Sequence, residues 1–310
     1  MKVTSQSPVR ISLFGGGTDV NPYASKYGGV CINIAISIKQ RIDVSNSTFS
    51  LGNAWSYQHG DNTTFFKKIA QKMNASDIWM KHRFSGPIES GIGSSASAAV
   101  ALIGAVAKVK GLNLSKEEIA KKAWDIEVNE LKLFGGKQDQ YCAAFGGMNT
   151  MYFNKDGVKV ERWSRPIAEK IAKNLVLIYT GRNRKSSKIQ ERFKKLTPKS
   201  KIALDKLKSL AELVDLNKTA SIKIFAEWLN LNWEYKKQSN KGVTNDRIDK
   251  IYNFALNSGA LAGKISGAGG GGFAVFIVRS KNQKYFIKQM KKVGCKHYPF
   301  KIDWKGLVVK

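Results

Sequence analysis

Long apolar runs, cysteines and acidic residues are all scarce in this chain of 310 residues. No stretch of 18 apolar residues occurs, so we expect no membrane-spanning helix. The three cysteines, Cys31, Cys142 and Cys295, are widely separated, which argues against a disulfide framework and against a cysteine-rich metal site. The first residues lack the apolar core of a signal peptide. Together with the low cysteine count, this predicts a protein of the reducing cytoplasm.

The shortage of acidic residues leaves the chain strongly basic. Lysines and arginines number 52 against 23 aspartates and glutamates, a formal net charge of +29. Three interpretations are compatible with this charge: a basic surface composition without a specific role, an enzyme for anionic substrates, or a nucleic-acid-binding protein. The basic residues are spread along the whole chain and no nucleic-acid-binding signature accompanies them. The first interpretation is therefore favoured most and nucleic acid least.

The hydrophobic pattern predicts helices and strands in a mixed order. Residues 30–44 alternate between apolar and polar side chains, which predicts a half-buried strand. The alanine-rich residues 96–109 predict a buried helix, and a capping box of Ser115 and Glu118 predicts another that runs to about Phe134. Further predictions are hairpin strands at 147–153 and 158–163, strands at 174–180 and 272–278, and helices at 186–231, 246–257 and 281–293.

This element order predicts an α+β fold with two lobes. Strands dominate the first third of the chain, whereas the last half is rich in helices with strands between them. We place the boundary near residue 170, which gives an N-terminal domain of residues 1–170 and a C-terminal domain of residues 171–310. The active site is expected between the two lobes.

Several common catalytic signatures are missing. The Walker pattern of nucleotide-binding loops and the G-x-S-x-G elbow of hydrolases are both absent. Residues 91–96 allow a relaxed match to the dinucleotide-binding fingerprint, but no strand with an acidic tip follows about 20 residues later, as that fold requires. The three histidines lie far apart and outside the glycine-rich motifs, so we assign them no role.

Three glycine-rich stretches stand out instead, at residues 14–19, 87–96 and 266–272. The second leads directly into the alanine-rich helix. Glycines let a backbone approach a ligand closely, and the free N–H groups and positive dipole end of a helix bind phosphate. A tight turn that only needs glycine is the alternative. The candidate phosphate-binding residues are Gly91, Gly93, Ser94, Ser95, Ala96 and Ser97.

The order of these stretches resembles the GHMP kinase superfamily, which includes galactokinases, homoserine kinases and mevalonate kinases. The segments GGGTD at 15–19, GGKQDQY at 135–141, TGRNRK at 180–185 and WEYKK at 233–237 further resemble the heptose 7-phosphate kinase branch, which has relatives among L-fucose kinases. The resemblance implies an ATP-dependent sugar kinase with a two-lobed fold and a phosphate loop distinct from Walker and Rossmann loops.

The resemblance also implies roles for residues at the reaction centre and at a metal site. Asp139 corresponds to the catalytic aspartate, whose carboxylate would accept or orient the proton of the attacking hydroxyl. Arg10 lies in an otherwise apolar strand and needs a partner there; it either stabilises charge at the reaction centre or forms a structural ion pair. Ser95 and Glu127 correspond to the contacts of the Mg²⁺ ion, with Glu130 as the competing ligand.

The candidate sugar site follows from the same comparison. Galactokinases carry Glu-His where Gly16 and Gly17 stand here, which argues against galactose. A cluster of cations would suit a second phosphate on the substrate, although a solvated basic loop is the alternative. Glu89 in the phosphate loop is expected to point outward or to weaken nucleotide binding. The candidate substrate-binding residues are Gly16, Gly17, Thr18, Asp19, Lys137, Thr180, Gly181, Arg182, Arg184, Lys185 and Gly269.

The hypothesis is phosphoryl transfer from ATP, with Mg²⁺, to the anomeric hydroxyl of D-glycero-D-manno-heptose 7-phosphate. The product would be the 1,7-bisphosphate. The alternative is an L-fucose or related sugar 1-kinase. More distant alternatives are a nucleic-acid-binding protein on a kinase-like scaffold and a catalytically inactive binding protein. ATP and a small sugar phosphate are the expected partners, without a membrane, and a homo-oligomer is left open.

Overall fold

The computed structural model describes residues 2–45, 55–57, 63–88, 90–181 and 195–310. Strands and helices are numbered separately along these ranges. The strands are β1 (Lys2–Phe14), β2 (Gly29–Ser45), β3 (Trp55–Tyr57), β4 (Trp79–Phe84), β5 (Met148–Phe153), β6 (Val158–Arg162), β7 (Leu175–Tyr179), β8 (Ala262–Ile265), β9 (Phe273–Ile277), β10 (Lys296–His297) and β11 (Val308–Val309). The helices are α1 (Tyr23–Tyr27), α2 (Thr63–Lys72), α3 (Ser94–Val109), α4 (Lys116–Asp125), α5 (Gln138–Phe145), α6 (Arg165–Ala172), α7 (Pro198–Leu216), α8 (Ile222–Ser239), α9 (Asp246–Asn257) and α10 (Gln283–Lys292).

The strands form two sheets in an α+β fold. The larger sheet has the order β11-β1-β2-β4-β3, and the β5–β6 hairpin pairs with the other end of β2. The smaller sheet has the order β10-β7-β9-β8 and is antiparallel throughout. Because β11 pairs with β1, the end of the chain completes the sheet of the first half. The boundary near residue 170 falls within α6 and stays a prediction.

The strand predicted at 30–44 is present, but it is buried on both faces along its first half. Ile32 and Ile34 face the core shared by the two sheets, whereas Cys31 and Ala35 face a second core against α3 and α5. A register shift between Ile36 and Lys39 exchanges the faces, so Ile42 joins the same core as Cys31. At this irregularity β2 advances from Ile36 to Lys39 while β1 moves only from Val9 to Pro8, and such a break in the ladder disturbs the alternation, which a single period-2 pattern does not anticipate.

The helix predicted from the capping box is shorter than expected. Ser115 and Glu118 form the reciprocal hydrogen bonds of the box, but α4 ends at Asp125. The chain continues as a π-helical turn over Ile126–Glu130, closed by the bond from the Leu131 amide to the Ile126 carbonyl. The prediction of a helix to Phe134 is therefore wrong. The wider turn matters because it carries Glu127.

The helical pattern predicted at 186–231 corresponds to two helices. Residues 182–194 lie outside the described ranges. Thr197 caps the first described helix, α7, and Pro198 occupies its first turn, where its missing N–H costs nothing. Ser221 caps α8 after a short break. Both helices pack on the core shared by the two sheets. No helix in the described ranges is long and apolar enough to cross a membrane.

Candidate active site

A cavity of about 600 Å³ lies where the glycine-rich stretches approach one another. The end of β1, the N-terminus of α3, the π-helical turn and the N-terminus of α5 all contribute to its wall. The sequence candidates that line it are Arg10, Gly16, Gly17, Asp19, Gly91, Gly93, Ser94, Ser95, Ala96, Glu127 and Asp139. Residues far apart in the sequence thus meet in one space, which is large enough for small-molecule substrates.

Backbone packing between two glycine-rich stretches positions the candidate phosphate loop. A Cβ on Gly91 would lie 2.6 Å from the Ser266 carbonyl oxygen, and one on Gly267 would lie 2.7 Å from the Gly91 carbonyl oxygen. Gly93 has φ +70° at the N-cap of α3. The first bond of that helix runs from the Ser97 amide to the Gly93 carbonyl. The amides before Ser97 therefore stand at the cavity wall as donors for an anion.

Ser97 differs from the other candidates of the loop. Its hydroxyl is buried, lies 2.8 Å from the Ser7 hydroxyl and donates to the Ser7 carbonyl. It therefore ties α3 to β1 and does not line the cavity. Glu89, the carboxylate noted within the loop, lies outside the described residues.

Gln40 supports the first turn of α3 and was missed by sequence reasoning. Its Nε2 donates to the Ser94 carbonyl at 2.9 Å, and its Oε1 lies 2.6 Å from Nε2 of His82. Since Oε1 of Gln40 can only accept, His82 Nε2 carries the proton of this bond. A polar residue at position 40 of an alternating strand does not indicate these contacts. Through them, Gln40 joins β2 and β4 to the candidate phosphate loop.

We expect Gln40→Leu to raise the apparent KM for ATP about three- to tenfold, the effect of one lost hydrogen bond. The reason is that the Ser94 carbonyl loses its donor and the first turn of α3 loosens. The KM for the sugar should stay unchanged, because Gln40 contacts none of the candidate sugar residues in 16–19. Steady-state kinetics with each substrate varied in turn gives both constants. An equal rise in both would mean that Gln40 only supports the fold.

Arg10 and Asp139 form a two-pronged ion pair at the floor of the cavity. Nε and Nη2 of Arg10 donate to the two carboxylate oxygens of Asp139, each at 2.7 Å. Nη1 donates to the Gly91 carbonyl at 2.6 Å. The guanidinium is buried, whereas the carboxylate keeps 23% of its side-chain surface exposed to the cavity. Arg10 thus links the candidate catalytic carboxylate to the candidate phosphate loop, in the fork geometry that arginine favours.

Gly93 makes room for Asp139 beside the phosphate loop. A Cβ at this position would lie 3.1 to 3.3 Å from the carboxylate and Cβ atoms of Asp139. Asp139 itself lies in the first turn of α5, where a carboxylate is favoured by the helix dipole. The N-termini of α3 and α5 therefore approach the same point in the cavity.

Ser95 and Glu127 supply oxygen donors at the same end of the cavity. The Ser95 hydroxyl donates to Oε1 of Glu127 at 2.7 Å, and Nε2 of Gln140 donates to Oε2 at 2.7 Å. Burial, with a smaller contribution from Asp139, raises the pKa of Glu127 to about 7. Glu130 is half-exposed, pairs with Lys72 at 2.5 Å and does not line the cavity. The geometry favours Glu127 over Glu130.

This donor set fits a magnesium ion. A hydroxyl and a carboxylate are hard oxygen ligands, and Mg²⁺ commonly takes only one or two protein ligands beside substrate phosphates and water. Within the described ranges, Oε1 of Gln140 is buried beside Glu127 without a hydrogen-bond partner, and no cluster of three metal-ligating side chains occurs. The site therefore suits a cation brought in with a nucleotide.

The turn at residues 16–19 forms another part of the cavity wall. Asp19 is buried and accepts hydrogen bonds from the Gly17 amide and from the amide and side chain of Gln138. Burial first, and then the charge of Asp139, raises the pKa of Asp19. The Thr18 hydroxyl bonds to the Gly15 and Val30 backbone and does not line the cavity. Thr18 holds the turn, whereas Asp19 faces the site.

The other candidate substrate residues lie outside the cavity lining or outside the described ranges. Nζ of Lys137 lies 4.7 Å from the centroid of the Trp124 ring. The Thr180 hydroxyl donates to the Gly272 carbonyl, next to Gly181, and a Cβ on Gly269 would lie 2.4 Å from the Val243 carbonyl oxygen. The contacts of Thr180 and Gly269 support the third glycine-rich stretch, whereas Lys137 packs on Trp124. The basic cluster of Arg182, Arg184 and Lys185 is not among the described residues.

Two buried lysines, Lys236 in the cavity wall and Lys264 outside the lining, were not assigned a role from the sequence. Nζ of Lys264, on β8, donates to the Ser12 and Leu13 carbonyls at 3.0 Å each. Nζ of Lys236, on α8, donates to the Gly16 carbonyl at 2.7 Å. Burial lowers the pKa of Lys264 to about 7 and that of Lys236 to about 8. Lys236 follows the buried residues Leu229 and Trp233 at helical spacing. This periodicity could have indicated from the sequence that Lys236 lies on the buried face of the helix.

We expect the wild type to gain stability relative to Lys264→Met as the pH rises from about 7 to about 10. Because the pKa of Lys264 is about 7 in the fold, against 10.5 for an ordinary lysine, the unfolded chain binds about one more proton between these two pKa values. Stability rises with pH wherever the unfolded state binds more protons. Urea unfolding of both proteins across this pH range measures the difference, and a difference that does not change with pH would contradict the assignment.

Two family models match the chain in order. The model described as "GHMP kinases N terminal domain" matches residues 63–147, and the one described as "GHMP kinases C terminal" matches residues 213–294. A curated D-glycero-alpha-D-manno-heptose 7-phosphate kinase from Campylobacter jejuni is 34% identical, covering 94% of this chain and 93% of the relative. The first match includes the phosphate loop, Glu127 and Asp139.

Solved structures agree with this relationship. A D-glycero-D-manno-heptose 1-phosphate kinase from Bacteroides thetaiotaomicron aligns with a TM-score of 0.78 at 25% identity, covering 99% of this chain and 98% of that one. A putative sugar kinase from Campylobacter jejuni aligns with the same TM-score at 29% identity, covering 100% and 98%. The chain therefore belongs to the GHMP kinase family and is an ATP-dependent sugar kinase.

Proposed function

We propose that this kinase transfers the γ-phosphoryl group of ATP to the anomeric hydroxyl of D-glycero-D-manno-heptose 7-phosphate and forms the 1,7-bisphosphate. One observation carries the proposal most: the Arg10–Asp139 pair lies between the phosphate loop and the turn at 16–19, within a single cavity. A carboxylate in this position can act on a sugar hydroxyl while the loop holds the donor phosphate. Both substrates are anions, which agrees with the basic composition.

The proposed reaction is a single in-line displacement. The sugar hydroxyl oxygen forms a bond to the γ-phosphorus, the bond from that phosphorus to the oxygen of ADP breaks, and the hydroxyl proton passes to Asp139. Arg10 fixes the orientation of the accepting carboxylate through two hydrogen bonds, and the amides at the start of α3 bind the phosphates. Ser95 and Glu127 would hold Mg²⁺, which neutralises phosphate charge when bound.

The choice of sugar rests on the relatives. The heptose 7-phosphate kinase from Campylobacter jejuni matches this chain over nearly its full length. The L-fucokinase/L-fucose-1-P guanylyltransferase from Bacteroides fragilis is 24% identical, and the match covers 36% of that protein. Gly16 and Gly17 line the cavity and contribute no side chain to it. L-fucose remains the second candidate.

A panel of acceptors assayed for ADP release tests the proposal. D-glycero-D-manno-heptose 7-phosphate, the unphosphorylated heptose, L-fucose and mevalonate are compared by kcat/KM at fixed Mg-ATP. We expect the heptose 7-phosphate to exceed every other acceptor by at least tenfold, because charge-assisted contacts to a second phosphate contribute about 1.5–3 kcal/mol. A higher kcat/KM with L-fucose would transfer the assignment to a fucose 1-kinase.

A further inference from the structure

Lys236 is a buried cation in the wall of the sugar side of the cavity. It lies on α8, in the second half of the chain, and is 3% exposed. Its ammonium donates to the Gly16 carbonyl at 2.7 Å and lines the cavity together with Gly16, Gly17 and Asp19. Burying a charged group is costly without compensating interactions. A lysine at this position therefore indicates a specific task.

The electrostatic partner of Lys236 is Asp19. Burial and the charge of Asp139 raise the pKa of Asp19, whereas the Gly17 and Gln138 amides and the positive charge of Lys236 lower it. The positive charge of Arg10 acts on both buried lysines and lowers the pKa of Lys236 and of Lys264. The Cys31 thiol, 3.7 Å from Asp19, is kept protonated because burial raises its pKa. Among the charged side chains that act on Asp19, Lys236 is the one that lowers its pKa, and it adds to the larger effect of the two amides.

We propose that Lys236 is a positioning and specificity-determining residue for the sugar. It fixes the Gly16 carbonyl and keeps Asp19 as a hydrogen-bond acceptor for a hydroxyl of the polyhydroxy substrate. The inference rests on the proposed function, because it requires a sugar in this cavity. A carboxylate that only accepts selects a substrate that donates at this position. An analogue lacking that hydroxyl cannot donate to the acceptor position that Asp19 keeps beside its bonds from Gly17 and Gln138, and so loses this hydrogen bond.

The test compares Lys236→Met with Lys237→Met. Lys237 is the adjacent residue on α8, more exposed and paired with Glu234 at 2.8 Å, so it controls for the loss of a lysine. For Lys236→Met we expect the KM for the best acceptor of the panel to rise at least tenfold and the KM for ATP to change less than twofold. Lys237→Met should leave both constants within twofold of the wild type.

The pH profile separates this role from a purely structural one. Because the charge of Lys236 lowers the pKa of Asp19, its removal raises that pKa. The acceptor form of Asp19 is lost below its pKa, so the acid limb of kcat/KM for the sugar should move to higher pH in Lys236→Met. An unmoved acid limb would overturn the proposal even if the KM rises. A fall in kcat with both KM values unchanged would overturn it as well.

A second variant keeps the inference testable if Lys236→Met does not fold. Asp19→Asn cannot act as an ionised acceptor, and we expect it to raise the sugar KM at least tenfold. The acid limb that Asp19 gives to kcat/KM for the sugar should disappear in this variant. Unchanged sugar KM in a folded Asp19→Asn protein would overturn the inference. If the wild type phosphorylates no acceptor of the panel, the proposed function fails instead, so the two failures are distinguishable.

Discussion

Replacing Asp139 by asparagine should lower kcat by about 100-fold or more, the usual contribution of a positioned general base. Asparagine keeps the shape of the side chain and one oxygen that can accept from Arg10, but its amide cannot take the proton of the sugar hydroxyl. Nucleotide binding should be retained, because the phosphate loop at 91–96 is unchanged. Single-turnover rates at saturating ATP and sugar measure the effect directly.

The control for this variant is Asp77→Asn. Asp77 lies on an exposed turn before β4 and contributes nothing to the cavity lining, so its turnover should equal that of the wild type. Binding of a fluorescent ATP analogue confirms that Asp139→Asn keeps its fold and its nucleotide site. Turnover within threefold of the wild type in a folded Asp139→Asn protein would remove Asp139 from the chemistry.

Replacing Glu127 by glutamine should raise the magnesium concentration for half-maximal activity about tenfold or more. Glutamine has the same length and can still form hydrogen bonds to Ser95 and Gln140. It lacks the negative charge that attracts a divalent cation. The matched control is Glu130→Gln, three residues along the same π-helical turn, whose carboxylate pairs with Lys72 outside the cavity. Magnesium titrations at constant free ATP give both values.

The ranking of these two variants decides the metal assignment. A larger effect of Glu130→Gln would make Glu130 the ligand, against the geometry. No effect of either would leave both residues with structural roles only. Binding of Mn²⁺ to the nucleotide complex, followed by electron paramagnetic resonance, provides a readout that does not depend on activity.

The residues at the centre of the site could be predicted because short segments carry them. Asp139 follows a glycine pair, the phosphate loop runs into a helix, and an arginine in an apolar strand requires a partner. The structure adds the contact that joins these segments, from Arg10 to both Asp139 and Gly91. Arg10 and Asp139 are 129 residues apart in the sequence. A local sequence pattern cannot predict a contact between residues so far apart.

The supporting residues could not be predicted in the same way. Gln40 and Lys236 occupy ordinary positions in a strand and a helix, and their roles depend on which carbonyl lies opposite them. Ser97 shows the converse: its position in the loop indicated phosphate binding, but the helix turns its hydroxyl toward Ser7. Likewise, the bulge in β2 and the π-helical turn after Asp125 arise from packing rather than from hydrophobic periodicity.

The most direct measurement is the position of the phosphate on the product. Wild-type enzyme is incubated with Mg-ATP and D-glycero-D-manno-heptose 7-phosphate, and the product is analysed by ³¹P–¹H correlation NMR. We predict one equivalent of ADP and a new phosphorus signal coupled to the anomeric proton, with the original 7-phosphate retained. A new phosphate on any other carbon, or ATP hydrolysed to inorganic phosphate without a phosphorylated sugar, would contradict the proposed reaction.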